Sequence, residues 1–366
     1  MKKSFWKQLV FGNQGKPFGA WQIELTTRCP LRCKMCCREG HHDEPRRDMS
    51  LEDFQNLAPH FKNVEAVVLE GWGESLLHPQ LIPCIHIVKK EGAQVGFVTS
   101  GKTLNEAYIT ELVKASPDFI GFSLSGASPQ THNAIRVNSD LEELIKHIHF
   151  FQETKARLGR STPKFHIVYL LLKNNVHEIP RLLHLARELK IEEVILIHIA
   201  LVTNSWQNEQ KVFADVPNPE YEKILQDGEQ MAKEWKIQLK RPLLTPRDVA
   251  VCSENPLRNL YISVKGNVSP CVYLNPPIPT PFTRIFQGAD VTLEKLKFGN
   301  IFREGFEAVW EKKEYSEFRN CFVQREKKFQ DFYASILDPD KMKGITAESA
   351  SLPPLPCRTC YKILGY

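Results

Sequence analysis

Three of the chain's ten cysteines have a spacing that suits metal or cluster chemistry. Cys29, Cys33 and Cys36 are spaced C-x3-C-x2-C within the stretch TTRCPLRCKMCCREG, residues 26–40. Three thiolates on one short loop can converge on a soft metal ion or on an iron–sulfur cluster. Because they leave one coordination position open, the loop by itself predicts a site that something else must complete.

Two other interpretations of this loop are possible. A closed zinc site needs a fourth ligand, which Cys37, His41 or His42 would supply. A redox pair of the C-x2-C type would leave Cys29 without a role. A [4Fe–4S] cluster with three protein ligands and one open iron accounts for all three spaced cysteines, and Cys37 is then a bystander that packs as a small apolar residue.

A second set of cysteines lies in the last third of the chain. It has enough thiolates to close either a cluster or a zinc site, and its members are Cys252, Cys271, Cys357 and Cys360. Gly266, at a predicted hairpin turn, brings the chain back towards Cys271. Cys321 is a spare or substitute ligand, and Cys84 is expected to be a buried bystander.

The elements that must position these cysteines alternate between strands and helices. Near-continuously apolar segments predict six strands, at residues 21–26, 63–74, 93–101, 117–126, 164–175 and 192–202. Segments with helical periodicity separate them, which indicates an α/β fold with a parallel sheet buried on both faces. Function is therefore expected at the carboxyl ends of the strands.

Small and polar residues follow several of these strands. The first strand ends at the cysteine loop, the second at Gly71-Trp72-Gly73-Glu74 and the third at Thr99-Ser100-Gly101, while the fourth carries Ser123 and Ser125. Since the carboxyl ends of parallel strands meet at one edge of a sheet, the sequence predicts one shared site there.

The pattern changes after residue 203. A polar stretch precedes a helical segment, and residues 259–273 alternate like a hairpin with Lys265-Gly266-Asn267 at its turn. A proline-rich loop and a helical segment at 302–322 follow. We predict an amino-terminal extension at 1–19, a first domain at 20–215 and a second at 216–366.

Composition limits the class of protein. The 366 residues are 42% hydrophobic and 25% charged, as in ordinary globular proteins, and the net charge is +5. The basic residues are scattered, so no nucleic-acid partner is expected. Neither a membrane span nor a targeting signal is found, and the many cysteines then indicate metal or redox chemistry in the cytoplasm.

The cysteine loop and the strand-two turn together resemble the radical S-adenosylmethionine (SAM) superfamily, over residues 20–202. The resemblance implies a partial (β/α)6 TIM-like barrel in which Cys29, Cys33 and Cys36 hold a [4Fe–4S] cluster and SAM binds its open iron. Met35 would then lie against the adenine. EGWGES looks like the family's glycine-glycine-glutamate element, so Gly73 and Glu74 would receive the SAM ammonium group, with Trp72 replacing the first glycine.

Further SAM contacts follow from the same resemblance. Ser123 and Ser125 match the position that holds the ribose hydroxyls, and Arg136 matches an arginine near the SAM carboxylate. Thr99 and Ser100 stand where the family often has Thr-Asn-Gly, which implies a contact with SAM or substrate.

The carboxyl-terminal third resembles the SPASM/Twitch extension of radical SAM maturases, through VSPC and the later FGNI and EFRNC segments. Full SPASM domains use seven cysteines for two auxiliary clusters. The number available here implies one auxiliary [4Fe–4S] cluster, held by Cys252, Cys271, Cys357 and Cys360.

The implied activity is reductive cleavage of SAM to a 5′-deoxyadenosyl radical that abstracts hydrogen from a substrate. The expected partners are a peptide, protein or cofactor substrate and a reductant such as ferredoxin or flavodoxin. A peptide-recognition domain before the barrel is not expected, and a maturase for a tungsten- or molybdenum-type oxidoreductase cofactor is an alternative. The alternatives of another class are an iron–sulfur electron carrier and a zinc-stabilised scaffold.

Overall fold

The strands of the protein, seen in a computed structural model, follow the predicted alternation. The structure describes residues 15–41, 45–337 and 352–366. The strands are β1 (Phe18–Ile23), β2 (Arg32–Cys33), β3 (Val64–Val68), β4 (Gln94–Thr99), β5 (Phe119–Leu124), β6 (Arg136–Val137), β7 (Lys164–Leu170), β8 (Glu193–Ile197), β9 (Gln238–Lys240), β10 (Leu260–Ile262), β11 (Asn267–Ser269), β12 (Phe282–Phe286), β13 (Ala289–Leu293) and β14 (Gly299–Asn300).

The six predicted strands form one parallel sheet in sequence order. Strands β1, β3, β4, β5, β7 and β8 are neighbours, and every pair among them is parallel. The residues of the central strands β3, β4, β5 and β7 are buried almost without interruption, for example at Val67, Phe97 and Phe122, whereas β1 and β8 alternate between buried and half-buried residues. Burial on both faces explains the continuous apolar runs, and the prediction of an α/β fold with a parallel sheet is confirmed.

Helices connect these strands and cover the sheet. They are α1 (Leu51–Phe61), α2 (Leu81–Lys90), α3 (Glu106–Ala115), α4 (Pro129–Ile135), α5 (Leu141–Arg157), α6 (Ile179–Glu188), α7 (Ser205–Glu209), α8 (Pro219–Glu234), α9 (Ile301–Glu304), α10 (Phe306–Trp310) and α11 (Lys313–Leu337). Ser50, Asn105 and Asp140 cap the amino ends of α1, α3 and α5 through side-chain oxygens. The single helix predicted at 302–322 is instead three helices, because Gly305 adopts a φ of 82° between α9 and α10.

The sheet curls into a partial barrel. One cavity is lined by Gln22 of β1, Val68 of β3, Val98 of β4, Val168 of β7 and Ile195 of β8. A flat sheet would hold β1 and β8 far apart, so a shared cavity requires the strands to curve around it. The inward-facing side chains of the barrel therefore surround an enclosed space.

The carboxyl-terminal region is joined to this sheet. The predicted hairpin is present as β10 and β11, and β10 lies parallel to β1 with Trp21 opposite Leu260. At the other edge β9 lies parallel to β8. The hairpin of β12 and β13 was not predicted. The sheet thus continues across the boundary expected near residues 203–220, and the domain ranges 1–19, 20–215 and 216–366 stay predictions.

Within the described ranges, we find no helix that combines the length and the apolar character needed to cross a lipid bilayer.

Candidate functional site

The structure brings the three spaced cysteines of the first loop together. The short ladder of β2 and β6 fixes this loop, with Cys33 opposite Arg136. Burial raises the pKa of Cys29 to about 12 and that of Cys33 to about 11, and neighbouring thiols and Glu74 contribute to both shifts. A hydrogen bond from the Cys37 thiol lowers the pKa of Cys36 to about 7.

A zinc site at this loop would need a fourth ligand beside the three spaced cysteines. In the described ranges no three Cys, His, Asp or Glu side chains are grouped closely enough to hold a single metal ion. Among the fourth ligands considered above, His42 lies outside the described residues. Cys37 is 2% exposed and packs with Leu201, Ile278 and Phe282, as expected of a bystander.

Glu74 joins the carboxyl ends of the second and third barrel strands. It is 5% exposed, and its oxygens accept hydrogen bonds from the Thr99 hydroxyl at 2.7 Å, the Ser100 backbone N–H at 2.9 Å and the Ser100 hydroxyl at 2.7 Å. The Thr99 and Ser100 side chains therefore hold the carboxylate in place beside the cysteine loop. Direct contacts of these two residues with SAM or substrate stay a prediction.

Residue 73 must be glycine because the backbone at this position packs closely against the backbone of residues 26–28. A Cβ at this position would lie 1.9 Å from the Thr26 carbonyl oxygen, and the Glu74 backbone N–H donates to the Arg28 carbonyl at 2.7 Å. The glycine turn is thus packed directly on the strand that enters the cysteine loop. Its predicted closeness to SAM is not tested by this contact.

Replacing Gly73 by alanine is expected to lower the free energy of unfolding by about 3 kcal/mol, because the added Cβ overlaps backbone that cannot move independently. Displacement of Glu74 should weaken SAM binding in the same variant. Thermal denaturation and calorimetric titration with SAM measure the two effects. Gly15→Ala is the control, since a Cβ there meets nothing within 4 Å; equal stability of the two variants would contradict the argument.

Arg136 and Ser125 lie beside the same loop. The Arg136 Nε–H donates to the Ser125 hydroxyl at 3.0 Å, and the guanidinium also hydrogen-bonds the Cys33 thiol, which opposes the rise in its pKa. Ser123 lies in β5, and Ser125 is the first residue after the end of that strand. Met35 packs against an apolar cluster that includes Ile135. Their contacts with SAM stay predictions.

The Trp72 backbone is hydrogen-bonded to two charged residues, Glu24 and Arg38, that were not predicted as part of the site. Its backbone N–H donates to Glu24 Oε1 at 3.0 Å, and its carbonyl accepts from Arg38 at 3.1 Å. The indole packs edge-on against Tyr273 at 6.4 Å between ring centroids. Glu24 is buried, which raises its pKa. In the sequence, the only sign of this role is that Glu24 is an acidic residue inside the otherwise apolar segment WQIELT.

The four carboxyl-terminal cysteines form a second centre. Cys271 follows the β10–β11 hairpin, and electrostatic coupling shows that it lies near Cys252, Cys357 and Cys360. The Cys360 backbone N–H donates to the Cys357 carbonyl at 3.1 Å. Burial raises the pKa of Cys252 to about 12. Cys321 also lies near Cys357, so its ligand role stays open.

A buried arginine indicates that this second centre is built for an anionic group. Arg284 is 0% exposed, and its Nη2 donates to the Pro356 carbonyl at 2.8 Å and to the Thr359 hydroxyl at 2.5 Å. Its Nε and Nη1 have no partner within the described chain. The guanidinium lies beside Cys357 and Cys360. A cysteine-ligated cluster would supply the missing negative charge and sulfur acceptors, so the residues fit such a group.

One cavity of about 390 Å³ lies between the two centres. Gly71 and Trp72 line it on the side of the first cysteine loop, and Cys271 and Tyr273 line it on the side of the second. Valines and isoleucines of the barrel interior form part of the remaining wall, and polar or charged residues such as Gln22, Glu70 and Lys362 also line it. A molecule in this cavity would contact Cys271 of the second centre and the Gly71-Trp72 turn that leads to Glu74.

The chain is similar to known proteins along most of its length. A model of the radical SAM superfamily matches residues 23–186, and one of an iron–sulfur cluster-binding domain, SPASM, matches residues 252–361. One relative is the tungsten-containing aldehyde ferredoxin oxidoreductase cofactor-modifying protein of Pyrococcus furiosus. The two chains are 24% identical over 308 residues, and the alignment covers 81% of this chain and 82% of that protein. It is 23% identical over 303 residues to the AdoMet-dependent heme synthase of Methanosarcina barkeri, covering 74% and 82%.

The fold is also shared with a solved structure. The crystal structure of Streptococcus suis SuiB bound to S-adenosylmethionine superposes with a TM-score of 0.63 at 16% identity, covering 82% of this chain and 67% of SuiB. The predictions of an enzyme, of a TIM-like partial barrel followed by an iron–sulfur domain, and of SAM with two [4Fe–4S] clusters as cofactors are thereby confirmed. The enzyme cleaves SAM reductively and abstracts hydrogen from a substrate. The chain therefore combines a radical SAM domain over residues 23–186 with a SPASM iron–sulfur cluster-binding domain over residues 252–361.

Proposed function

We propose that this enzyme is a maturase that oxidises a cofactor or peptide bound in the cavity between its two cysteine centres. The observation that carries the proposal is that Cys271 of the second centre and Trp72, two residues before Glu74 at the first, line this one cavity. When bound at a reduced cluster, SAM supplies the 5′-deoxyadenosyl radical that abstracts a hydrogen atom. The apolar barrel wall excludes water and competing hydrogen donors from the substrate.

The residues divide between two tasks. Cys29, Cys33 and Cys36 hold the SAM-binding cluster, and Cys252, Cys271, Cys357 and Cys360 hold the auxiliary cluster. Glu74 lies beside the first centre with its carboxylate fixed by Thr99 and Ser100, a position suited to receive an ammonium group. The Arg136 guanidinium, hydrogen-bonded to the Ser125 hydroxyl, is placed to pair with a carboxylate at the same site.

A cofactor is the substrate that we favour. The cofactor-modifying protein of Pyrococcus furiosus matches this chain over both the barrel and the auxiliary-cluster region. The second relative, from Methanosarcina barkeri, is named as a heme synthase. We therefore propose maturation of a tungsten- or molybdenum-type oxidoreductase cofactor as the first function to test. A peptide is the alternative outcome.

The electron donor is proposed to be a small acidic carrier such as ferredoxin or flavodoxin. A surface groove of about 850 Å³ is lined by four cationic side chains, Arg47, Lys265, Lys297 and Arg303, and by three acidic ones, Asp48, Asp53 and Glu304. Two of the acidic side chains are paired with cations outside the groove, Asp48 with Arg28 and Glu304 with Lys312. Arg47 and Lys265 also line the adjoining groove that reaches Thr27 and Arg38 at the cysteine loop. Complementary charge there would steer an acidic protein towards the first centre.

Anaerobic reconstitution tests this function. We expect about eight iron ions per chain, four in each cluster, and 5′-deoxyadenosine after reduction with dithionite. Incubation with the isolated cofactor of a tungsten-type oxidoreductase should change the mass of the cofactor in step with 5′-deoxyadenosine formation. A mass change in a cysteine-rich peptide alone would favour the peptide, and zinc with no SAM cleavage would reject the proposal.

A further inference from the structure

Glu70 projects a carboxyl group into the cavity between the two centres. It follows β3 by two residues and shares the cavity wall with Val68 and with Gln22, which faces Val68 across the β1–β3 pair. Aliphatic residues such as Val98 and Ile195 contribute much of the surrounding wall. A carboxyl group in such a wall is costly unless something binds it.

The other charged groups of the cavity already have partners. Lys362 lies 3.5 Å from Glu254 and donates to the Ser253 hydroxyl at 3.3 Å. Within the described residues, in contrast, no donor lies within hydrogen-bond reach of the Glu70 carboxyl group. Both of its oxygens are therefore available to a molecule in the cavity.

The surroundings of Glu70 favour a ligand that brings positive charge or N–H donors. Burial raises the pKa of Glu70 to about 8, and repulsion by Glu74 and Glu254 contributes to the shift. A cationic donor group would offset both the lost hydration and this repulsion, and its binding would favour the ionised carboxylate over the protonated form. An anionic group would add to the repulsion.

We propose that Glu70 is a substrate-recognition residue that binds an amidine-type edge, meaning two parallel N–H donors on one planar group. A carboxylate with two free oxygens pairs best with such an edge, because both hydrogen bonds form at once. Guanidine-type edges occur both in arginine side chains and in amino-pyrimidinone rings. The apolar side chains of Val68, Val98 and Ile195, which line the same cavity, suit the remainder of a planar ring.

This inference rests on the proposed function, since it names the chemistry by which the same cavity would select its substrate. It assigns Glu70 to binding and not to hydrogen abstraction. A substrate anchored there would lie between Trp72 and Cys271, which line the same cavity.

Benzamidine is the probe that tests the site, and calorimetric titration of the fully reconstituted enzyme is the measurement. We expect benzamidine to bind the unmodified enzyme about tenfold more tightly than it binds Glu70→Gln, because the variant loses the charge-assisted pair. Benzyl alcohol, similar in size but without the N–H pair, should not distinguish the two. Glu142→Gln, an exposed change on α5, is the matched control and should bind like the unmodified enzyme.

Equal benzamidine affinity in the unmodified enzyme and Glu70→Gln would overturn the proposal, as would failure of benzamidine to bind at millimolar concentration. Unchanged iron content and near-ultraviolet circular dichroism show that Glu70→Gln keeps its fold. Displacement of benzamidine by 6-hydroxymethylpterin supports a ring edge as the source, and displacement by Nα-acetylarginine amide supports a peptide. None of these readouts needs turnover, so the binding site and the proposed maturase activity can fail independently.

Discussion

Replacing Cys29, Cys33 and Cys36 together by alanine is expected to abolish SAM cleavage and to lower the iron content from about eight to about four per chain. The three thiols lie on the loop that ends β1, and they influence each other electrostatically. Without them nothing on this loop can hold a cluster. Formation of 5′-deoxyadenosine after dithionite reduction and iron counting are the measurements.

The second cluster should survive in this variant because its ligands come from other elements. Cys252, Cys271, Cys357 and Cys360 belong to the last third of the chain, and no thiol of the first loop is among the groups that shift their pKa. The barrel should also survive, since its core of valine, isoleucine and phenylalanine side chains does not include the three ligand cysteines. The spectrum of one remaining [4Fe–4S] cluster is therefore expected.

Cys37→Ala is the matched control. Cys37 is next to Cys36 on the same loop, yet it is 2% exposed and packed in an apolar cluster. Its replacement should keep about eight iron ions and SAM cleavage, at a cost of about 1 kcal/mol for the small cavity. Loss of iron in Cys37→Ala equal to that of the triple variant would contradict the assignment of the three ligands.

The barrel was predictable because its strands are buried on both faces. Continuous apolar runs such as the one at Val67 and Val68 have only one common explanation in a chain of alternating strands and helices. The positions of β9 and β10 at the edges of the sheet were not predictable in the same way. These strands are three residues long, and their pairing with β8 and β1 depends on the tertiary path of the chain.

The cysteine ligands were predictable from spacing, whereas the charged groups that support the centres were not. Glu24, Glu70 and Arg284 occur singly in apolar segments, where a sequence pattern does not say which partner a charge will meet. Their roles follow from burial and from the neighbours that the fold supplies, such as Trp72 for Glu24. Gly73 was predicted to approach SAM, and the structure adds the contact with the Thr26 carbonyl, which requires a glycine by itself.

The auxiliary centre should be separable from SAM cleavage. Replacing Cys357 and Cys360 together by alanine is expected to lower the iron content to about four per chain and to leave 5′-deoxyadenosine formation intact. Conversion of the substrate should be lost, because the electron of the substrate radical then has no acceptor beside the cavity. Comparing 5′-deoxyadenosine with modified substrate by mass spectrometry measures this uncoupling.

Cys321→Ala is the control for the ligand assignment at this centre. Cys321 lies near Cys357 but is not among the four proposed ligands. The variant is expected to keep about eight iron ions and to convert substrate normally. Loss of the auxiliary cluster in Cys321→Ala would show that the ligand set is wrong.

Arg284 gives this last prediction a second, independent readout. Removal of the auxiliary cluster leaves a fully buried guanidinium with two nitrogens, Nε and Nη1, unpaired, which costs about 3 kcal/mol. The variant lacking Cys357 and Cys360 should therefore unfold at a lower temperature than one that also carries Arg284→Met. The carboxyl-terminal segment would still be held by Tyr361, which is buried and accepts a hydrogen bond from Lys211 at 2.8 Å. If Arg284→Met gave no recovery of stability, the arginine would not be the counterion of the cluster.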